Sequence, residues 1–143
     1  MRKPLQTIFF ETALNFAERS TCNRKHVGAV IVRDGRIIAT GYNGSPSGAE
    51  HCLESGCLIV KSNDAEHCIR TLHAETAVIS FCARKGIALE GTDLYVSTEP
   101  CHECCKLLLN AGIAKVYYLE KYGDGEGKKL LEQAGIPCAK CEI

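Results

Sequence analysis

Neither sign of charge dominates this 143-residue sequence: lysine and arginine together number 17, and so do aspartate and glutamate. A neutral chain lacks the long-range field that holds a polynucleotide backbone, so no polynucleotide partner is expected. A small anion bound by a local basic cluster remains open. Long apolar runs are missing too. No stretch approaches the ~20 residues that span a bilayer, so no membrane partner is expected. The opening MRKPLQTIFFETALNFAERS offers only the short run Ile8–Phe10 before Glu11, which argues against a signal peptide. No repeat, low-complexity tract or charge block interrupts the chain, and one domain over residues 1–143 is expected. With 45% apolar and 24% charged residues, disorder, collagen and fibre are excluded.

What the sequence has in excess is cysteine, ten residues beside five histidines. Such a density points either to a secreted disulfide scaffold or to an intracellular metalloprotein. A chain this long buries an ordinary core without staples. Its cysteines also keep company with histidines at ligand-like spacings. Both features favour the metalloprotein, in a reducing cytoplasm.

Residues 5–19 carry an apolar helical stripe (Leu5, Ile8, Phe9, Ala13, Phe16, Ala17) just after Pro4. Val27–Arg33 and Arg36–Tyr42 are β-rich runs around Asp34-Gly35, a hairpin signal. Residues 43–70 lack periodicity and read as a long loop, which in a compact domain is functional or held by something other than a core. Helices are expected over His73–Lys85, with Gly86 as C-cap, over Cys101–Ala111, and over 126–134. Strands are expected over Thr92–Thr98 and Lys115–Leu119, with a short edge strand in 136–141. This alternation after an opening hairpin predicts an α/β fold: one mixed sheet of about five strands with helices on both faces.

Two segments carry the chemistry. His73-Ala74-Glu75 and Pro100-Cys101-His102-Glu103-Cys104 each open a helix. Cys101 and Cys104, three apart, point from a first turn toward one spot. One nitrogen and two sulfurs leave a fourth tetrahedral position open, the mark of a catalytic zinc. Two thiolates and a neutral imidazole cancel the charge of Zn²⁺, so the ion is a soft Lewis acid and a neighbouring base matters more. Glu75 fits that base. Helix N-termini also favour thiolate over thiol. HxE alone is weak, and CxxC alone suits a structural zinc or a redox pair. Together, in this order with a strand between, they match the zinc nucleobase-deaminase signature. Cys105 competes with Cys104 only if the Pro-Cys-x-x-Cys register is abandoned.

A second group, Cys22, His51, Cys52, Cys57, His67 and Cys68, offers a closed structural zinc that would fasten the 43–70 loop. Cys22, Cys52 and His67 are the preferred ligands, with Cys57, His51 and Cys68 competing for the fourth place. Cys138 and Cys141 form another CxxC, but on a strand they would face opposite sides.

The segments CNRKHVGAVIV (22–32), ATGYNGSPSGAEHC (39–52), GC (56–57), HCIRTLHAE (67–75), PCHECCK (100–106) and NAGIAKVYY (110–118) resemble the deoxycytidylate (dCMP) deaminases of the cytidine deaminase superfamily, of the bacterial late-competence-operon and phage type. The resemblance runs from about Thr21 to Ile136. It implies the three-layer α/β/α cytidine-deaminase-like fold and hydrolytic deamination of dCMP to dUMP and ammonia, by a zinc-activated hydroxide with Glu75 as proton shuttle. It implies substrate contacts from Arg24, Asn43, Ala74 and Tyr122. It also implies a second, structural zinc, a homo-oligomer (hexamer or dimer), and control by dCTP and dTTP, for which Mg²⁺ would accompany the effector. Two positions depart from the branch: Ala77 stands where asparagine is usual, and Glu99 before Pro100 is more familiar from tRNA-adenosine and base deaminases. The alternatives are a deaminase of dCTP, CMP, a free base or tRNA adenosine, or a non-catalytic zinc module linked to DNA uptake.

Overall fold

The computed structural model describes residues 1–62 and 65–143. In chain order the elements are α1 (Leu5–Ala17), β1 (Gly28–Arg33), β2 (Arg36–Tyr42), α2 (Cys52–Ser55), β3 (Ile59–Ser62), β4 (Ala65–Cys68), α3 (Ala74–Lys85), β5 (Asp93–Thr98), α4 (His102–Ala111), β6 (Lys115–Glu120), α5 (Glu126–Gln133) and β7 (Cys138–Lys140). Five strands make one mixed sheet in the order β2-β1-β5-β6-β7. β1 runs antiparallel to both β2 and β5, whereas β5, β6 and β7 are parallel. Asp34 and Gly35 close the first hairpin with φ of 51° and 73°, the positive values that a two-residue turn needs to match strand twist.

Strand alternation divides the core between the two faces of the sheet. Ala29, Ile31, Leu94, Val96, Val116 and Tyr118 meet Val78, Cys82, Leu108 and Leu131 from α3, α4 and α5. Val30, Val32 and Tyr95 meet Phe9 and Phe10 from α1 on the other face. Tyr95 lies 5.0 Å from Phe9 and 5.3 Å from Phe10 between ring centroids. Burying a phenylalanine such as Phe10 contributes about 1.5–3 kcal/mol, so α1 is held mainly by this aromatic seam. Cys138 belongs to the first face and Cys141 packs against the second, the opposition expected from their odd spacing.

The expected helices and sheet strands are present, with ends shifted by a residue or two. The 43–70 segment differs from expectation. It contains one helical turn, α2, and a separate two-stranded sheet, β3 with β4. All four β3 residues and most of β4 are exposed, so this hairpin lacks the alternating burial that marks a strand in sequence. Its return is fixed by paired backbone hydrogen bonds between Gly44 and Leu72. Among the described residues no helix is long and apolar enough to cross a membrane.

Candidate active site and metal centres

The loop after β4 leads into α3 and β5 leads into α4, and the fold brings these two helix N-termini side by side. His73 is the N-cap residue of α3 and Cys101 that of α4, both with extended backbone and neither side chain used for capping. Such positions ordinarily carry Ser, Thr, Asp or Asn to satisfy the first backbone N–H groups. Here an imidazole and a thiol occupy them and point at each other instead. His73 Nδ1 lies 3.6 Å from Cys101 Sγ and 3.3 Å from Cys104 Sγ.

A tetrahedral zinc with ordinary Zn–S and Zn–N distances separates its sulfur and nitrogen ligands by about 3.6 Å. The three donors therefore fit that ion, and they leave its fourth position to solvent. Hydrogen bonding from Cys104 is the largest influence on Cys101; with help from His73 it outweighs burial and holds that thiol down to about 3. The same bond to Cys101, together with burial, pushes Cys104 up. By themselves the two sulfurs share one negative charge, and a cation between them is what lets both ionise.

Glu75 sits in the first turn of α3, only 4% exposed. Burial pushes its carboxyl up to about 7, against its own backbone N–H and the nearby His73 and Lys25, which pull it down. It opens onto a cavity of about 210 Å³ that His73, Cys101 and Ala74 also line. Arg24, Asn43 and Tyr122 line the same cavity, so every residue singled out for substrate converges there with Glu75, His73 and Cys101. Asn43 also braces the backbone beside it. Its Oδ1 accepts from Val27 N at 2.8 Å and its Nδ2 donates to Lys25 O at 2.7 Å.

The model for the cytidine and deoxycytidylate deaminase zinc-binding region matches residues 4–120. The chain belongs to this deaminase family. It is 46% identical over 128 residues to ComE operon protein 2 of Bacillus subtilis, covering 89% of the chain and 66% of that protein. It is 37% identical over 139 residues to the deoxycytidylate deaminase of Saccharomyces cerevisiae, covering 95% of the chain but 44% of the yeast protein. The chain thus spans under two thirds of these longer relatives. The dCMP deaminase of cyanophage S-TIM5, solved in complex with dCMP and dUMP, superposes with a TM-score of 0.83 at 31% identity, covering 99% of each chain. This match places the mixed sheet and its flanking helices in the cytidine-deaminase-like fold.

The second ligand group of this deaminase-family chain differs from the preferred set. Cys22, Cys52, Cys57 and Cys68 come together, their sulfurs all within 4.8 Å of one another. Cys22 and Cys57 are 3.7 Å apart, Cys52 and Cys68 3.5 Å, close to the edge of about 3.8 Å in a zinc bound by four thiolates. His67 is not among them. His67 and Cys68 are successive residues of a strand, so their side chains leave its two faces, and only Cys68 meets the other sulfurs. His51 is also outside the group, its Nδ1 lying 3.3 Å from Glu54. Burial raises the Cys68 thiol, but the backbone N–H groups of Arg70 and Leu58 and hydrogen bonds from Cys52 and Cys57 lower it to about 7. None of the ten cysteines is in a disulfide.

Among the cavity residues left without a role by the sequence, Lys25 and Glu99 matter most. Lys25 is half-buried and holds its Nζ 3.2 Å from the centroid of the Tyr122 ring. Glu99, 3% exposed, accepts the Tyr122 backbone N–H at 3.3 Å. The basic pair Arg24-Lys25 was the available signal for the first. For the second it was the departure before Pro100.

Proposed function

We propose that this chain deaminates dCMP hydrolytically to dUMP and ammonia in the cytoplasm, with one zinc held by His73, Cys101 and Cys104 and a second held by Cys22, Cys52, Cys57 and Cys68. The observation that carries the reading is a cluster of three zinc donors, His73, Cys101 and Cys104, two of which, His73 and Cys101, share one cavity with a buried carboxylate, Glu75. The likeness to a phage enzyme solved with dCMP and dUMP supports the choice of substrate. Bound at the first site, zinc would acidify a water and so supply a hydroxide nucleophile near neutral pH.

The remaining work falls to the chain's own residues. Glu75 takes the proton released by the water and passes it to pyrimidine N3. Glu75 then takes the proton of the new C4 hydroxyl and hands it to the amine leaving C4, so that ammonia departs and the C4 carbonyl forms. Only 4% exposed and lining the cavity, the Glu75 carboxyl is placed to exchange protons with the attacking water and the substrate. General acid–base work of this kind is worth about 10²- to 10⁴-fold in rate. Asn43 fixes the Lys25–Val27 backbone at the cavity rim, and Tyr122 offers a ring face for the pyrimidine.

Ultraviolet loss on dCMP, dCTP, CMP and deoxycytidine tests this directly. We expect dCMP to be preferred and Glu75→Gln to lower kcat by about 10²-fold or more with zinc content unchanged. Turnover untouched by Glu75→Gln would remove the mechanism. No turnover of any of the four would favour a non-catalytic zinc module.

A further inference from the structure

The cavity that receives a nucleotide is acidic where the reaction occurs: Glu66, Glu75 and Glu99 line it alongside two cations, Arg24 and Lys25. A phosphate entering there needs a cation in a fixed place to offset those carboxylates. Arg24 is exposed, whereas Lys25 is half-buried and its backbone is pinned: its carbonyl accepts from Asn43 Nδ2 at 2.7 Å and from Ser20 Oγ at 3.1 Å. From this anchor the side chain crosses to Tyr122, whose backbone is itself held by buried Glu99. With Nζ 3.2 Å from the ring centroid, the ammonium occupies the space a stacked base would take.

A cation resting on a ring face is held more weakly than one paired with phosphate oxygens. A nucleotide can therefore draw the ammonium off the ring, whereas a nucleoside must displace it with nothing in exchange. We propose that Lys25 selects nucleotides over nucleosides: its ammonium leaves Tyr122 for the 5′-phosphate of the substrate and uncovers the ring for the pyrimidine. This rests on the nucleotide-deaminase reading of the cavity and names the residue that sets its substrate class.

The test compares wild type, Lys25→Met and Lys25→Arg, all zinc-loaded, by calorimetric binding of dUMP and deoxyuridine and by turnover of dCMP and deoxycytidine. Lys25→Met should weaken dUMP by about 10- to 100-fold, the loss expected for a hydrogen bond to a charged group. The same loss should appear in kcat/KM for dCMP, mostly through KM. Deoxyuridine and deoxycytidine should change by less than about threefold, and Lys25→Arg should recover most of the loss, because it keeps the charge. Equal weakening of nucleotide and nucleoside, or dUMP binding untouched in Lys25→Met, would overturn the proposal. If wild type binds dUMP without turning over dCMP, the deaminase reading falls and the binding comparison still decides Lys25. If dCMP is turned over and Lys25→Met keeps the same preference for it, only the Lys25 assignment falls.

Discussion

Asn43 shows how one side chain does structural work at the edge of a reactive site. Besides its two side-chain bonds, its backbone N–H donates to Val27 O at 3.1 Å. Together these clamp the segment that carries Cys22, Arg24 and Lys25 onto the end of β2. Asn43→Ala removes both side-chain bonds, leaving the Val27 N–H without its partner and the Lys25 carbonyl with Ser20 Oγ alone. At about 1–1.5 kcal/mol per lost bond, we expect a stability loss of about 2–3 kcal/mol in urea unfolding. KM for dCMP should rise with it, because the rim is no longer fixed. The Tyr-Asn-Gly pattern marks a polar residue at a strand end. It says nothing about partners 16 and 18 residues away, so this bracing role could not be read from the sequence.

Among the elements, α2 and the β3–β4 hairpin are the least self-sufficient. Four residues cannot sustain a helix, and an isolated two-stranded hairpin is marginal in water. Both are tied by the cysteine group, Cys52 and Cys57 flanking α2 and Cys68 ending β4. The ligands were legible in the sequence as a cluster, but their selection needed the strand, and the strand was invisible because its residues do not alternate in burial. Once β4 exists, alternation sends Cys68 to the sulfurs and His67 away from them. Cys68→Ser should therefore lower zinc from two equivalents to one by elemental analysis. Limited proteolysis should then cut first within 43–72. His67→Ala should retain two equivalents. Loss of a zinc equivalent in His67→Ala, with two retained in Cys68→Ser, would restore the histidine as ligand.

At the scale of the whole molecule, the site depends on how closely helices approach each face of the sheet. Hydrophobic alternation made the sheet and its two helical layers readable, since core strands and long helices carry strong periodic signals. The spacing between layers is set by glycines, which carry none. Gly28 faces α1, where an added Cβ would collide with the Ala13 carbonyl oxygen and lie 2.9 Å from Ala17 N. Gly41 pairs with Ala29 across the hairpin and faces α3, where a Cβ would lie 2.8 Å from Ala74 O and 2.9 Å from Val78 Cβ. Backbone cannot rotate away from such a contact, so alanine at either position should cost about 3 kcal/mol in stability, the upper end for overpacking. Their effects on turnover should differ. Gly28→Ala displaces α1, which carries no site residue, so kcat per folded molecule should stay within about twofold. Gly41→Ala pushes on Ala74, between His73 and Glu75, the proposed zinc ligand and base, and a shift of about 1 Å there can cost 10²-fold. Unfolding curves and active-site-normalised kcat for both variants check this. Equal kcat in the two would mean that α3 can yield to the added methyl without moving the groups that do the chemistry.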